Sequence, residues 1–487
     1  MTYYDTFDWR LYHANLLLYL RYQAKQGCLL LDSLGEGTRL ASVNLSDMPG
    51  FVRELPHSAL RRRIETIVKQ RALLPVAELQ SHSDVFTLTD DEHKTVARLV
   101  LQFDVVGADM VALPGQLILD PVKGYPQPYQ QLRQVIESEL QLEPATGNRL
   151  AVILRAQGRT PGDYSTRLDI ALDPGGRSDQ SVKRILKVLY RIMQANEAGI
   201  KADIDSEFLH DYRVALRRIR TVLTQLKAVF ETATTKHFKD EFGWLGEVTG
   251  PLRDLDVHLL QFVTFKGLLG DETYRDLLPL QGYLTEQRQQ HYQELLQALQ
   301  STRYKRLLSD WEGFIDGDAE PAPPAANAVR PIKALADERI WQVYRKVVTQ
   351  AGALTTASPA ASFHELRKRC KKLRYLLEVF QYLYPPHAIS RLIRHLKVLQ
   401  ENLGEYQDLH VQADTIKQLA RQMARQGIGH AGTYLAMGAL AGRLEQKMLT
   451  VHEQFNGCYA QFAKTRIAKL FRQLFAPAQR GRGHHKS

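Results

Sequence analysis

The chain has 487 residues, 44% apolar and 24% charged, which is the balance of a folding chain long enough for two or more domains with real cores. Its 64 Lys and Arg outweigh 53 Asp and Glu, so the formal net charge is +11 and the pI about 9.3, favouring an anionic partner without naming one. There is no apolar run of about 18 residues to cross a membrane. The opening "MTYYDTFDWR" lacks the basic and apolar regions of a signal peptide, and Cys28, Cys370 and Cys458 have neither metal nor disulfide spacing. A cytoplasmic protein without a membrane partner is the expectation.

Residues 1–175 read as mixed α and β. "LLLYLRYQ", "CLLLDSL", "ARLVLQFDVV", "GQLILDPV" and "RLAVILRA" are short apolar runs bounded by turn residues, the pattern of strands. "SALRRRIETIVKQRALL" and "YQQLRQVIESELQL" have helical spacing. "DPGGRSD" at 173–179 is a turn cluster and a domain boundary. From 181 to 476 almost every segment spaces its apolar residues three and four apart, so this part is expected to be all-α. The Pro- and Ala-rich stretch at 316–331 is a linker that divides it into lobes at 181–315 and 332–476. Residues 477–487, "PAQRGRGHHKS", read as a basic disordered tail.

The two lobes repeat each other. "FLHDYRVALRRIRTVL" (208–223) and "FHELRKRCKKLRYLLEVF" (363–380) align His210, Arg213, Arg217 and Arg220 with His364, Arg367, Lys371 and Arg374 at an offset of 154. The same offset places "GPLRDLDV" (250–257) on "GEYQDLHV" (404–411), pairing Gly250 with Gly404 and Asp254 with Asp408. Further on, "TRYKRLL" (302–308) matches "TRIAKLF" (465–471) with the offset grown by nine, and "GIGHAGT" (427–433) is the expected place of the insertion. About four helices per copy suggest two four-helix bundles in a pseudo-symmetric pair.

On a helix the four positions of each stretch fall within a sector of about 80°, opposite an apolar face. That face is Tyr212, Leu216, Ile219, Val222, Leu223 and Leu226 in one copy. In the other it is Leu366, Cys370, Leu373, Leu376, Leu377 and Phe380. Each helix therefore carries cations along about 15 Å of its length, with almost no acid in the sector. A solvated charged face usually mixes its signs. Like charges repeated in two copies point instead to a ligand that neutralises them, and the shape suits an extended polyanion.

These paired stretches resemble the signature helices of the CHAD family (conserved histidine α-helical domain), and "GPLRDLDV" is similar to that family's arginine–aspartate turn. The resemblance covers about residues 181–476. It implies two pseudo-symmetric bundles around a basic channel that binds inorganic polyphosphate, with association to polyphosphate granules. By position it implies His210, Arg213, Arg217, Arg218, Arg220 and Arg253 from the first copy, and His364, Arg367, Lys368, Lys371, Lys372 and Arg374 from the second. Gln407 stands opposite Arg253, so the halves are unequal there. The stripe histidines are expected to donate hydrogen bonds to phosphate.

The N-terminal part resembles a degenerate CYTH domain, the triphosphate tunnel fold, through "YYDTFDWRLYHANLLLYLR", "RALLPVAEL" and "GYPQPYQQL". That family places Glu-x-Glu-x-Lys on its first strand to hold a divalent metal. Here Tyr3, Tyr4, Asp5 and Thr6 follow Met1 at once, so this strand is expected to be missing. Later strands are short of acid, "ARLVLQFD" offering only Asp104 and "GQLILDP" only Asp120, so no metal site, cofactor or catalytic residue is expected, and the protein reads as non-enzymatic. None of the sixteen histidines has a metal-ligand spacing. Two other classes remain open: a residual metal-dependent hydrolase of triphosphate or polyphosphate, and a nucleic-acid binder. The second would interleave aromatics with the cations, and the basic sector has almost none.

Overall fold

The computed structural model describes residues 1–477 apart from 24–25, 36, 108–109, 143, 145–147, 318–323 and 356. The tail from 478 onward and the middle of the linker lie outside the described residues. The chain forms two compact units, residues 1–166 and 167–487.

The first unit is an antiparallel sheet with helices on both faces. Its elements are β1 (Thr2–Asp5), α1 (Arg10–His13), β2 (Leu16–Gln23), β3 (Gln26–Ser33), β4 (Arg39–Leu45), α2 (Ala59–Val68), β5 (Leu74–Thr89), β6 (Thr95–Val106), β7 (Val111–Ala112), β8 (Gln116–Pro121), α3 (Pro126–Ser138) and α4 (Arg149–Ala156). The strand order is β4-β3-β2-β1-β5-β6-β7, with β8 also on β6. Alternation sorts β2 between the faces: Leu18 and Leu20 pack with Leu60, Ile64 and Val68 of α2, while Leu17 and Tyr19 lie with Leu150, Ile153 and Leu154 of α4.

One expectation for this unit is corrected. "RLAVILRA" is the helix α4, because Asn148 caps it by accepting from the Ala151 N–H at 2.8 Å and its buried residues are spaced at i, i+3 and i+4. A short apolar run does not distinguish a strand from a buried helix. The chain's first strand, β1, lies between β2 and β5 in mid-sheet. Its carboxylate, Asp5, accepts from the backbone N–H groups of Thr6, Leu11 and Tyr12 at 2.7–2.9 Å, and burial pushes its pKa up to about 6. Asp104 accepts from Ser81, Gln102 and Arg149, and Asp120 pairs with Arg98.

The second unit is helical. The half before the linker holds α5 (Ser178–Lys201), α6 (Ser206–Gln225), α7 (Thr232–Val248), α8 (Gly250–Leu269), α9 (Asp271–Asp276), α10 (Leu278–Gln300) and α11 (Thr302–Asp316). The other half holds α12 (Ile332–Gly352), α13 (Ala360–Val379), α14 (Pro386–Gln426), α15 (Ala431–Glu453), α16 (Phe455–Phe462) and α17 (Thr465–Phe475). Each half thus has more helices than the four expected. The starts of α5, α6 and α7 recur 154 residues later in α12, α13 and α14. The faces read as apolar on α6 and α13 are buried throughout.

Three details of the repeat differ from expectation. The offset is 153 at α10 and α15 and 163 at α11 and α17, so the extra residues are the helix α16 rather than the glycine stretch at 427–433. "GPLRDLDV" is helix, not turn. Pro251 lies in the first turn of α8 and has no N–H to continue the ladder, so α7 and α8 are separate; Glu405 stands at that place, and α14 runs unbroken. The end of the linker is also pinned: Ala328 and Arg330 accept from Asp179 and Ser178 at the start of α5 at 3.1 and 2.9 Å, and Asn327 donates to the Ala228 carbonyl at 2.7 Å.

Candidate functional site

α6 and α13, the equivalent helices of the two halves, pack together, and α8 and α10 of the first half meet α15 of the second. Between them is a cavity of about 760 Å³. His210, Arg213 and Arg217 of α6 line it together with His364, Arg367 and Lys371 of α13. Arg253, Asp254 and His258 of α8, His291 of α10 and Asp408 of α14 add further titratable groups to its wall. Seven of the twelve residues expected to bind ligand are thus brought into one space.

The repeat explains how the arginines are held. Arg213 lies over Gly250 and Arg367 over Gly404, with guanidinium atoms 3.7 and 3.6 Å from where a β-carbon would stand. A β-carbon at either glycine would meet its arginine at ordinary contact distance, whereas a longer side chain would take the arginine's place. Arg213 donates from Nη1 to the Gly246 carbonyl at 2.9 Å and to Thr249 Oγ1 at 2.6 Å, at the break between α7 and α8. Arg367 donates to Asp408 at 3.0 Å. Arg253 also lines the cavity, but its guanidinium donates to the Ser206 carbonyl at 2.8 Å and lies 3.5 Å from Glu207.

The charges in this space are strained. Burial, with Arg217 adding to it, lowers the Arg213 pKa to about 10, while Asp254 opposes the shift. Burial, Arg367 and Arg217 bring Lys371 down to about 8. Arg217 belongs to one half and Lys371 to the other, so the halves repel each other across the cavity. Burial also lowers the His258 pKa against the pull of Asp254. Arg217 Nε, His364 Nδ1 and Arg367 Nε are buried without a hydrogen-bond partner. Buried donors left unpaired cost about 1–3 kcal/mol each, and here they border a cavity that a ligand's acceptors can enter.

Five expected residues are elsewhere. Arg218 and Arg374 both bind Glu378, at 2.9 and 2.6 Å, and Arg374 also reaches Gln400 at 3.3 Å; they tie α6 to α13. Arg220 is exposed and lies against Gly246 of α7. Lys368 pairs with Glu365 at the surface, and Lys372 lines a separate cavity. The stripe does have balancing acid, but Asp254 and Asp408 come from neighbouring helices rather than its own. Their recurrence at the repeat offset was the available signal. His258 and His291 had none, because nothing in their local spacing tells which helix faces α6. Among the described residues, no group of three His, Cys, Asp or Glu is arranged to hold a metal.

The CHAD domain family model matches residues 184–417. Two uncharacterized proteins of Mycobacterium tuberculosis, from strains H37Rv and CDC 1551, are 28% identical to this chain over 295 residues, 56% of it. The chain spans about half the length of these curated relatives, 50% in each case. Among solved structures, the CHAD domain of the plant Ricinus communis superposes with a TM-score of 0.51 at 25% identity, covering 61% of this chain and 97% of that one. PptA from Streptomyces chartreusis superposes with a TM-score of 0.47 at 16% identity, covering 58% and 99%. No described helix is long and apolar enough to cross a membrane. Residues 184–417 of this chain are a CHAD domain.

Proposed function

We propose that the helical unit binds inorganic polyphosphate in the cavity shared by α6 and α13. The observation that carries this reading is the convergence of both repeats on one space: each half delivers a histidine and two cations, some of their donors are buried and unpartnered, and two cations have depressed pKa values. A chain of phosphates would satisfy these donors and relieve the repulsion between Arg217 and Lys371. In this reading the halves act as two pseudo-symmetric bundles that present one binding surface. The sheet unit is a degenerate tunnel-type fold whose remaining carboxylates serve internal hydrogen bonds, so the protein binds rather than hydrolyses. It is cytoplasmic, and binding of this kind would bring it to polyphosphate granules.

Calorimetric titration with long-chain polyphosphate at several salt concentrations tests the proposal. Affinity is expected to fall linearly on a log–log plot against salt, with a slope reporting several phosphate contacts, by analogy with counterion release from nucleic acid. Affinity that ignores salt, or tighter binding of single-stranded DNA at matched salt, would overturn it.

A further inference from the structure

We propose that the helical unit has a second phosphate-chain site, between α12, α13 and the C-terminal end of α6. It rests on the polyphosphate reading above but uses none of the same residues. A cavity of about 310 Å³ there is lined by five cations, Lys227, Arg339, Lys346, Arg369 and Lys372, and by no carboxylate. It has no lining residue in common with the shared cavity. An adjoining cavity of about 410 Å³ includes Lys346 and Arg369 again and adds Arg345, so the positive surface continues past its rim.

Among the described residues none of the five cations forms an ion pair. Glu338 attracts Arg339 and Glu365 attracts Arg369 from outside the lining, but Glu338 is engaged by Arg330 at 3.0 Å and Gln342 at 2.9 Å, and Glu365 by Lys368. Arg339 donates from Nη1 to Gln342 Oε1 at 3.0 Å, while its Nε is buried without a partner. Five like charges around a small space repel, and an anion entering it would remove that cost.

The repeat shows that three of these cations are not a requirement of the fold, although Lys372 falls on another cation, Arg218. At the offset of 154, Arg339, Lys346 and Arg369 correspond to Ile185, Ile192 and Ala215. All three are buried apolar residues. The first half uses these positions for its core; only the second turns them to positive charge. Lys372, grouped with the shared cavity by sequence position, belongs here instead. The volume is at the small end of ligand cavities, which suits a short run of phosphates. No aromatic ring lines it, so it offers charge and hydrogen bonds rather than a platform for a nucleobase.

Native mass spectrometry and calorimetry of the full chain with tripolyphosphate test this. The wild type is expected to bind two molecules. Arg217→Ala/Lys371→Ala should keep one, Arg369→Ala/Lys372→Ala should keep one, and the combined variant none. Lys346→Ala/Lys372→Ala, which alters only exposed side chains, gives the same answer should the Arg369 substitution disturb folding, and thermal melts check each variant. One molecule on the wild type overturns the second site, as does complete loss on Arg217→Ala/Lys371→Ala or retention of two on both second-site variants; each leaves the shared cavity standing. No binding to the wild type overturns both readings. An oligothymidylate that displaces only the second molecule would overturn the ligand class.

Discussion

Lys371 is the residue where charge, burial and binding meet. Its folded pKa of about 8 is below the ordinary lysine value of 10.5 because burial and two arginines disfavour its proton. A bound polyanion reverses that balance, so binding near pH 8 should take up a proton. Polyphosphate affinity should therefore weaken as pH rises through about 8, and Lys371→Arg should flatten the profile because arginine stays charged. Titrations in buffers of different ionisation enthalpy measure the proton directly. The same shift bears on stability. Below pH 8 the folded protein bears the cost of a charged Lys371; between about 8 and 10.5 the unfolded chain holds the proton more tightly, so that cost fades. Lys371→Met should raise Tm at pH 7, by at most about 3 kcal/mol in stability, and the gain should shrink toward pH 10.5.

At the scale of the helices, the cations of α6 and α13 divide into two roles that mutation can separate. Arg217 and Lys371 line the same cavity from opposite halves, so in the proposed reading one ligand bridges them. Each alanine substitution should cost about 1.5–3 kcal/mol of binding, and the pair should be non-additive in a double-mutant cycle. The background Arg369→Ala/Lys372→Ala keeps that cycle confined to the shared site. Arg218→Ala should behave differently. It leaves Glu378, only 14% exposed, with Arg374 as its remaining partner, so it should lower stability by about 1.5 kcal/mol while the folded protein keeps its affinity. Chemical denaturation alongside titration distinguishes the two. Gly404 offers a third comparison. A β-carbon there would meet Arg367 at ordinary contact distance, so Gly404→Ala should be tolerated and stabilise α14 by about 1 kcal/mol. Gly404→Leu should push Arg367 out of place and weaken binding.

For the whole molecule, the sheet unit should contribute no hydrolysis: the full chain with Mg²⁺ or Mn²⁺ should release no phosphate from tripolyphosphate above the buffer rate. Sustained metal-dependent release would restore the hydrolase reading. What the sequence by itself determined was local and periodic. The repeat offset of 154 is the spacing of real helix starts, and the apolar faces of α6 and α13 were legible because a helix shows its buried side every three to four residues. The identity of "RLAVILRA" was not legible, since an apolar octet fits a strand or a buried helix equally. Nor was the division of the basic stripe. Arg217 and Arg220 share one sector of α6, as Lys371 and Arg374 share one of α13, yet the first of each pair lines the shared cavity and the second does not. Periodicity fixes the direction of a side chain from its own helix axis. Whether that direction ends in Glu378, in a shared cavity or in a second one depends on which helix packs alongside, and only the tertiary structure decided that.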